Sequence, residues 1–75
     1  MITKQQINII NYLVICINEF AERFGFDSKS AYRLLSQYGG IDFLLQYFEI
    51  EHTLSLDDAV EDLALICRQN GGVLR

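Results

Sequence analysis

The feature that most constrains the fold is a helical spacing of apolar side chains along the whole chain. Apolar residues recur every three or four positions, which is typical of helices that bury one face. The pattern breaks at Gly25, at Gly39 and Gly40, and at Gly71, and glycine readily adopts the left-handed conformation that ends a helix. The chain has no proline, and no linker divides its 75 residues. These observations predict an all-α fold, a small compact bundle of four helices joined by short turns, forming one domain over residues 1–75.

The first helix is predicted to begin at Thr3, with Gln6 completing a capping box, and to end at Gly25. Its expected buried stripe is Ile10, Leu13, Val14, Ile17, Phe20, Ala21 and Phe24. A further three residues widen this apolar surface to more than half of the helix, namely Ile9, Tyr12 and Cys16. Such a helix is expected to be central in the fold or to be shared with a second molecule.

The second helix follows Asp27 and Ser28, either of which can cap it. The third is expected over residues 41–52. The fourth has Ser55 as its N-cap, and Asp58 closes a capping box. The residues expected to face the core are Ala31, Leu34, Leu35 and Tyr38 of the second helix, Ile41, Leu44, Leu45 and Phe48 of the third, and Leu56, Ala59, Val60, Leu63, Ile66 and Cys67 of the fourth.

The charges are distributed unevenly. Between Arg33 and Arg68 the chain has no Lys or Arg but carries seven acids, which are Asp42, Glu49, Glu51, Asp57, Asp58, Glu61 and Asp62. Such acids are either solvated or answered by a basic partner. The net charge of -4 argues against nucleic acid, whose binding depends on Lys and Arg, and against an anionic lipid surface.

One short apolar run and two cysteines indicate where the protein is located. The apolar run at residues 12–17 is too short to span a membrane, and a signal-peptide pattern is missing. We therefore expect a cytoplasmic protein. Cys16 and Cys67 both fall on apolar helical faces and could pair, although reduced core residues are the expected state in that compartment.

The acids and the histidine do not form a recognisable catalytic or metal site. Calcium needs six to eight oxygens arranged by a glycine-containing loop, and no such loop accompanies Asp57 and Asp58. These two acids are expected to stabilise a helix start. His52 has no nucleophile pattern beside it, and at a helix C-terminus it is expected to contact the last carbonyls. We therefore expect no catalytic residues, no metal and no cofactor.

Leu65 is the remaining candidate for a binding site. It lies on the helical face that also carries Asp58, Glu61 and Asp62. An apolar residue ringed by acids has the composition of a contact with an apolar centre and a charged rim. Tyr47, near the end of the third helix, is expected to extend this surface.

Several motifs resemble a family of small uncharacterised bacterial helical domains. They are Gly-Gly-Ile-Asp-Phe-Leu at 39–44, Tyr47, Glu-His-Thr-Leu-Ser at 51–55, Asp-Asp-Ala-Val at 57–60, Asp62-Leu63, Cys67 and Asn-Gly-Gly at 70–72. The family is typified by an aromatic residue, then His-Thr, then an acidic helix start with Val-x-Asp. This chain has Phe48-Glu49 where members commonly have Tyr-Asp.

The resemblance implies no catalytic function for any residue. Members of that family are often encoded beside a small protein that looks like an ADP-ribosyltransferase-type toxin. This association implies an antitoxin-like or accessory role.

The sequence therefore favours a non-enzymatic domain that binds another protein, one with a basic surface. The residues expected to make that contact are Tyr47, Glu51, His52, Asp57, Asp58, Glu61, Asp62 and Leu65. The alternative is a self-associating structural module, a homodimer through the broad apolar face of the first helix.

Overall fold

The computed structural model describes residues 4–74, and the side chains of residues 8–74. Over this part of the chain there are five helices joined by short turns: α1 (Lys4–Phe24), α2 (Ser28–Gln37), α3 (Gly40–Gln46), α4 (Phe48–Glu51) and α5 (Leu56–Gln69). The prediction of an all-α fold is confirmed, with five helices where four were expected. The predicted cap at Thr3, and the side chain of Gln6, lie outside the described residues.

Glycines end the helices where the sequence predicted. Gly25, Gly39 and Gly71 have φ values of 75°, 82° and 98°, which glycine adopts without the steric cost that a Cβ imposes. The chain then folds back on the preceding helix, because the Phe26 N–H donates to the Ala21 carbonyl at 2.8 Å and the Gly72 N–H donates to the Cys67 carbonyl at 2.7 Å. These bonds satisfy carbonyls that a helix end leaves free.

Side-chain caps begin α2 and α5. The Asp27 carboxylate accepts a bond from the Ser30 N–H at 2.7 Å, so Asp27, and not Ser28, is the cap of α2. Hydrogen bonds to Ser30 lower the pKa of Asp27, because they favour its charged form. The Ser55 hydroxyl accepts a bond from the Asp58 N–H at 3.1 Å, which confirms the predicted cap of α5.

The third predicted helix is divided at Tyr47, which is a correction to the expected span of residues 41–52. Tyr47 has φ −110° and ψ 23°, outside the helical region. Its N–H donates to the Phe43 carbonyl at 2.9 Å and so closes α3, while its carbonyl accepts from the N–H groups of Ile50 and Glu51 at 3.0 and 2.8 Å. A new turn, α4, therefore begins at Phe48.

The core lies where α1 packs against α2, α3 and α5. Its buried apolar residues are Cys16, Phe20, Ala21, Ala31, Leu35, Leu44, Ala59, Val60, Leu63, Ala64 and Cys67. Ile10 and Val14, expected in the buried stripe of α1, are each 50% exposed. Leu45, expected to face the core from α3, is likewise half-exposed. The stripe of α1 is rotated towards Cys16, because a helix that is apolar on most sides does not itself select the buried side.

Cys16 and Cys67 are both buried and free, in agreement with their expected place in the core. None of the helices in the described part of the chain has the length and apolar character needed to cross a lipid bilayer.

Candidate functional site

The acids at the start of α5 are partly neutralised by an arginine from α1. The Arg23 guanidinium donates to the Asp57 carboxylate and lies 3.5 Å from a Glu61 carboxylate oxygen. Arg23 is close in space but 34 residues from Asp57 along the chain, so the sequence pattern did not reveal the pairing. The sequence suggested that these two acids have no compensating cation. In the structure Arg23 supplies one.

Asp58 and Leu65 remain exposed on α5. Asp58 lies in the first helical turn, where a negative charge is stabilised by the helix dipole. Leu65 is 52% exposed, as expected for a surface residue. A single exposed leucine is common on protein surfaces, so this part of α5 offers one apolar side chain beside acids.

Glu51, one of the predicted contact residues, does not lie on the surface. Its side chain is buried, with 4% of its surface exposed. The Asp62 carboxyl of α5, which is partly buried, is one of the groups that raise the pKa of Glu51. Glu51 is the last residue of α4, the turn that follows the division at Tyr47. In this conformation its side chain is not accessible to a partner.

Tyr12 and Cys16 of α1 lie near Glu51, whose charge contributes to the raised pKa of each. The Tyr12 hydroxyl and the Glu51 Oε1 are buried and have no hydrogen-bond partner among the described residues. Burial, followed by the hydrogen bond and charge of Asp62, raises the pKa of Glu51 to about 7. Burial is also the main cause that raises the pKa values of Tyr12 and Cys16. The sequence analysis missed this cluster, although Tyr12 and Cys16 are spaced one helical turn apart.

His52 caps α4 as expected. Its Nδ1 lies 2.6 Å from the Phe48 carbonyl oxygen, and its ring stacks on the Phe48 ring with centroids 4.6 Å apart. The Thr53 hydroxyl donates to the Ile50 carbonyl at 2.6 Å. Both side chains thus satisfy carbonyls at the end of this short helix. His52 is exposed and borders a shallow groove with Ile15.

A second groove lies between α1 and the α3–α4 turn. We call it the α1–α4 groove, and its lining includes Ile9, Leu45, Tyr47 and Ile50. Ile50 is 62% exposed and Leu45 and Tyr47 are more than 40% exposed. The exposed carboxylate of Glu49 borders the same groove. Tyr47 was expected to extend the surface around Leu65, whereas in the structure it lines this groove with Leu45 and Ile50.

The predicted contact residues are therefore distributed over separate places. Asp57 and Glu61 meet at Arg23, Glu51 is buried, and Tyr47 lies in the α1–α4 groove. Within residues 4–74, no three His, Cys, Asp or Glu residues are grouped so that they could hold a metal ion. What the described surface offers chemically is an apolar groove with an acidic border.

Comparison with known proteins gives a family and no function. No curated protein and no solved structure matches the chain. Residues 11–70 match the family described as protein of unknown function (DUF3791). The match covers the whole of α2 to α5 and most of α1, including the α3–α4 turn and the buried Glu51. The chain therefore belongs to the DUF3791 family of proteins of unknown function.

Proposed function

We propose that this chain is a non-enzymatic domain that binds another protein through the α1–α4 groove. The observation that carries the proposal is the joint exposure of Leu45, Tyr47 and Ile50 around one depression. Contiguous apolar residues on a small protein mark interaction sites far more often than scattered ones do. Tyrosine in such a position is a frequent energetic anchor of protein interfaces.

The partner is expected to have a basic surface around an apolar residue that enters the groove. Glu49 borders the groove, and the chain has a net charge of -4. Complementary charge at the rim of an interface speeds association and rejects wrong partners. Buried free thiols at Cys16 and Cys67 suit a reducing compartment such as the cytoplasm, where we place the encounter.

The most concrete partner is a toxin-like enzyme encoded beside the chain's gene. This assignment rests on the resemblance to a family whose members often have an ADP-ribosyltransferase-like neighbour. An acidic helical domain of this size can cover a basic substrate cleft on such an enzyme. The role would then be that of an antitoxin or an accessory subunit.

Co-expression with the neighbouring gene product tests the proposal. A tagged chain is expected to retain that protein on an affinity column. Ile50→Lys should weaken its capture about tenfold or more, because it places a cation in the apolar centre and repels a basic partner. Leu65→Lys is the matched control, since Leu65 is also half-exposed but lies on α5.

The control separates the groove from the face of α5. Capture that is lost with Leu65→Lys and kept with Ile50→Lys would contradict the groove and return the site to Asp58 and Leu65. Reversal of Asp62 is unsuitable for this comparison, because the charge of Asp62 acts on the buried Glu51, so a lysine there changes more than the surface. Asp58 is exposed, so Asp58→Lys tests the α5 acids without that complication.

A self-associating module is the second candidate, favoured by the outer face of α1. Ile10, Val14 and Ile15 are each about half-exposed, at 50%, 50% and 51%. A second copy of the chain packed on this face would bury them. Light scattering over a range of concentrations distinguishes the two states, and for a homodimer Val14→Asp should shift the mass from dimer to monomer.

A further inference from the structure

Two shallow grooves along α1 meet at the ring of Phe48. The α1–α4 groove lies on one side of this ring, and α1 contributes Ile9 to its lining. The groove on the other side, which we call the His52 groove, is lined by Ile15 and His52. Phe48 belongs to both linings, so the two depressions form one trough that follows α1.

The ridge between the two grooves is a set of packed aromatic rings. The Phe48 ring contacts the Tyr12 ring edge to face, with centroids 5.5 Å apart, and the His52 ring stacks on Phe48 at 4.6 Å. The His52 Nδ1 lies 2.6 Å from the Phe48 carbonyl oxygen, which holds the imidazole in place. A partner therefore has to place one side chain on each side of this ridge.

The length of the trough fits two turns of a partner helix. Ile9 and Ile15 are six residues apart on α1, which is about 9 Å along its axis, and residues i and i+7 of a helix are about 10 Å apart on one face. Ile15 is 51% exposed, and Ile50, on the other side of Phe48, is 62% exposed. Addition of an extended strand needs a sheet edge, and residues 4–74 contain no strand.

The polar groups at the two ends of the trough accept hydrogen bonds. Glu49 is an exposed carboxylate beside the α1–α4 groove. His52 Nδ1 has to donate to the Phe48 carbonyl, so in the neutral imidazole Nε2 is left as an acceptor. Among the described residues, neither lining includes a Lys or Arg. Both ends are therefore complementary to lysine or arginine side chains of a partner.

We propose that the trough binds one amphipathic helix of the partner, with two apolar residues about two turns apart that lie on either side of Phe48, and with basic residues beside Glu49 and His52. This inference rests on the proposed function, because it concerns the same groove. It adds the His52 groove to the site, and it specifies the form and charge of the segment that binds there.

Capture of the co-expressed partner by Ile15→Lys tests the extension of the site. This variant should weaken capture about tenfold or more, as Ile50→Lys does, because the partner covers both sides of Phe48. Ile10→Lys is the matched control. Ile10 is the same residue type on the same helix, is 50% exposed and lines neither groove, so capture should stay within about twofold of the wild type.

The three variants distinguish failure of this inference from failure of the proposed function. Loss of capture with Ile50→Lys but not with Ile15→Lys would overturn the extended trough and leave the α1–α4 groove standing. Full capture by both would contradict the proposed function itself. Equal loss with Ile10→Lys would place the contact on the outer face of α1 and overturn the trough.

A synthetic peptide tests the form and charge of the occupant without the partner. The probe is a helical peptide about four turns long, with leucines on one face and lysines on the others. In ¹⁵N NMR spectra it should shift the amides of both Ile15 and Ile50, and Ile15→Lys should weaken its binding about tenfold. The trough would be overturned by a lack of binding, by shifts on one side of Phe48 only, by equal binding of the same peptide with glutamate for lysine, or by tighter binding of a basic proline-rich peptide.

Discussion

Arg23 forms ion pairs with two of the acids of α5. It is the last basic residue of α1, and its side chain is 28% exposed, whereas those of Asp57 and Glu61 are 78% and 74% exposed, so its two ion pairs are largely open to water. The pairs tie the C-terminal end of α1 to the first two turns of α5. Arg23 also lies in the last turn of α1, where the helix dipole favours positive charge.

Replacement of this arginine by glutamine should weaken the fold moderately. Arg23→Gln is expected to lower the free energy of unfolding by about 0.5–1 kcal/mol at low salt, and by less at about 1 M salt, because partly exposed ion pairs are modest and screened. Urea unfolding at the two salt concentrations measures both effects. Arg33→Gln, an exposed change of the same kind in the middle of α2, should cost a few tenths at most. A loss that does not depend on salt would contradict an electrostatic role for Arg23.

Helix ends were predictable because their signals are local. Asp27, Ser55 and Gly71 act within a few residues of themselves, and each does what its type predicts. The break at Tyr47 has no such signal, since neither glycine nor proline stands there. It accompanies tertiary packing instead, since Phe48 contacts Tyr12 and Glu51 is buried. The candidate site depends on this turn, and for that reason the sequence identified Tyr47 without its neighbours.

The junction of α2 and α3 depends on the absence of a side chain at Gly40. A Cβ at this position would lie 2.7 Å from Leu35 Cδ2 and 3.3 Å from Leu35 Cβ. Leu35 is completely buried, so it has little room to move. Gly40 does not have a positive φ, so its backbone accepts alanine and the cost of a substitution comes from the collision.

Gly40→Ala should therefore lower the free energy of unfolding by about 1–3 kcal/mol, as overpacking of a core does. The sign of the change in unfolding free energy is informative. Alanine is a better helix former than glycine by about 1 kcal/mol and would stabilise an unobstructed helix. Thermal or urea unfolding measures the change. Ser36→Ala, at an exposed position next to Leu35, should change stability by less than about 0.5 kcal/mol. Unchanged or higher stability of Gly40→Ala would show that α2 and α3 are not in close contact.

The core of the molecule is small, and the reactivity of its two cysteines measures how often it opens. Cys16 of α1 and Cys67 of α5 are completely buried, and burial raises the pKa of each thiol. A folded chain of this size is stabilised by roughly 3–5 kcal/mol, so it opens rarely but measurably. Because these cysteines belong to helices that pack against each other, both thiols should become reactive in the same opening event.

Reaction with a thiol reagent should therefore be slow in the folded chain, by at least about 100-fold relative to the chain in urea, and equal for the two cysteines. Val60 is completely buried and Val73 is 84% exposed, which provides a matched pair of valine substitutions. Val60→Ala leaves a cavity that costs about 1–3 kcal/mol, and it should speed the labelling of both thiols about tenfold. Val73→Ala should leave the rate unchanged. Rapid labelling of one cysteine alone would mean that α1 or α5 separates from the core without unfolding of the rest, and the core would then not be a single cooperative unit.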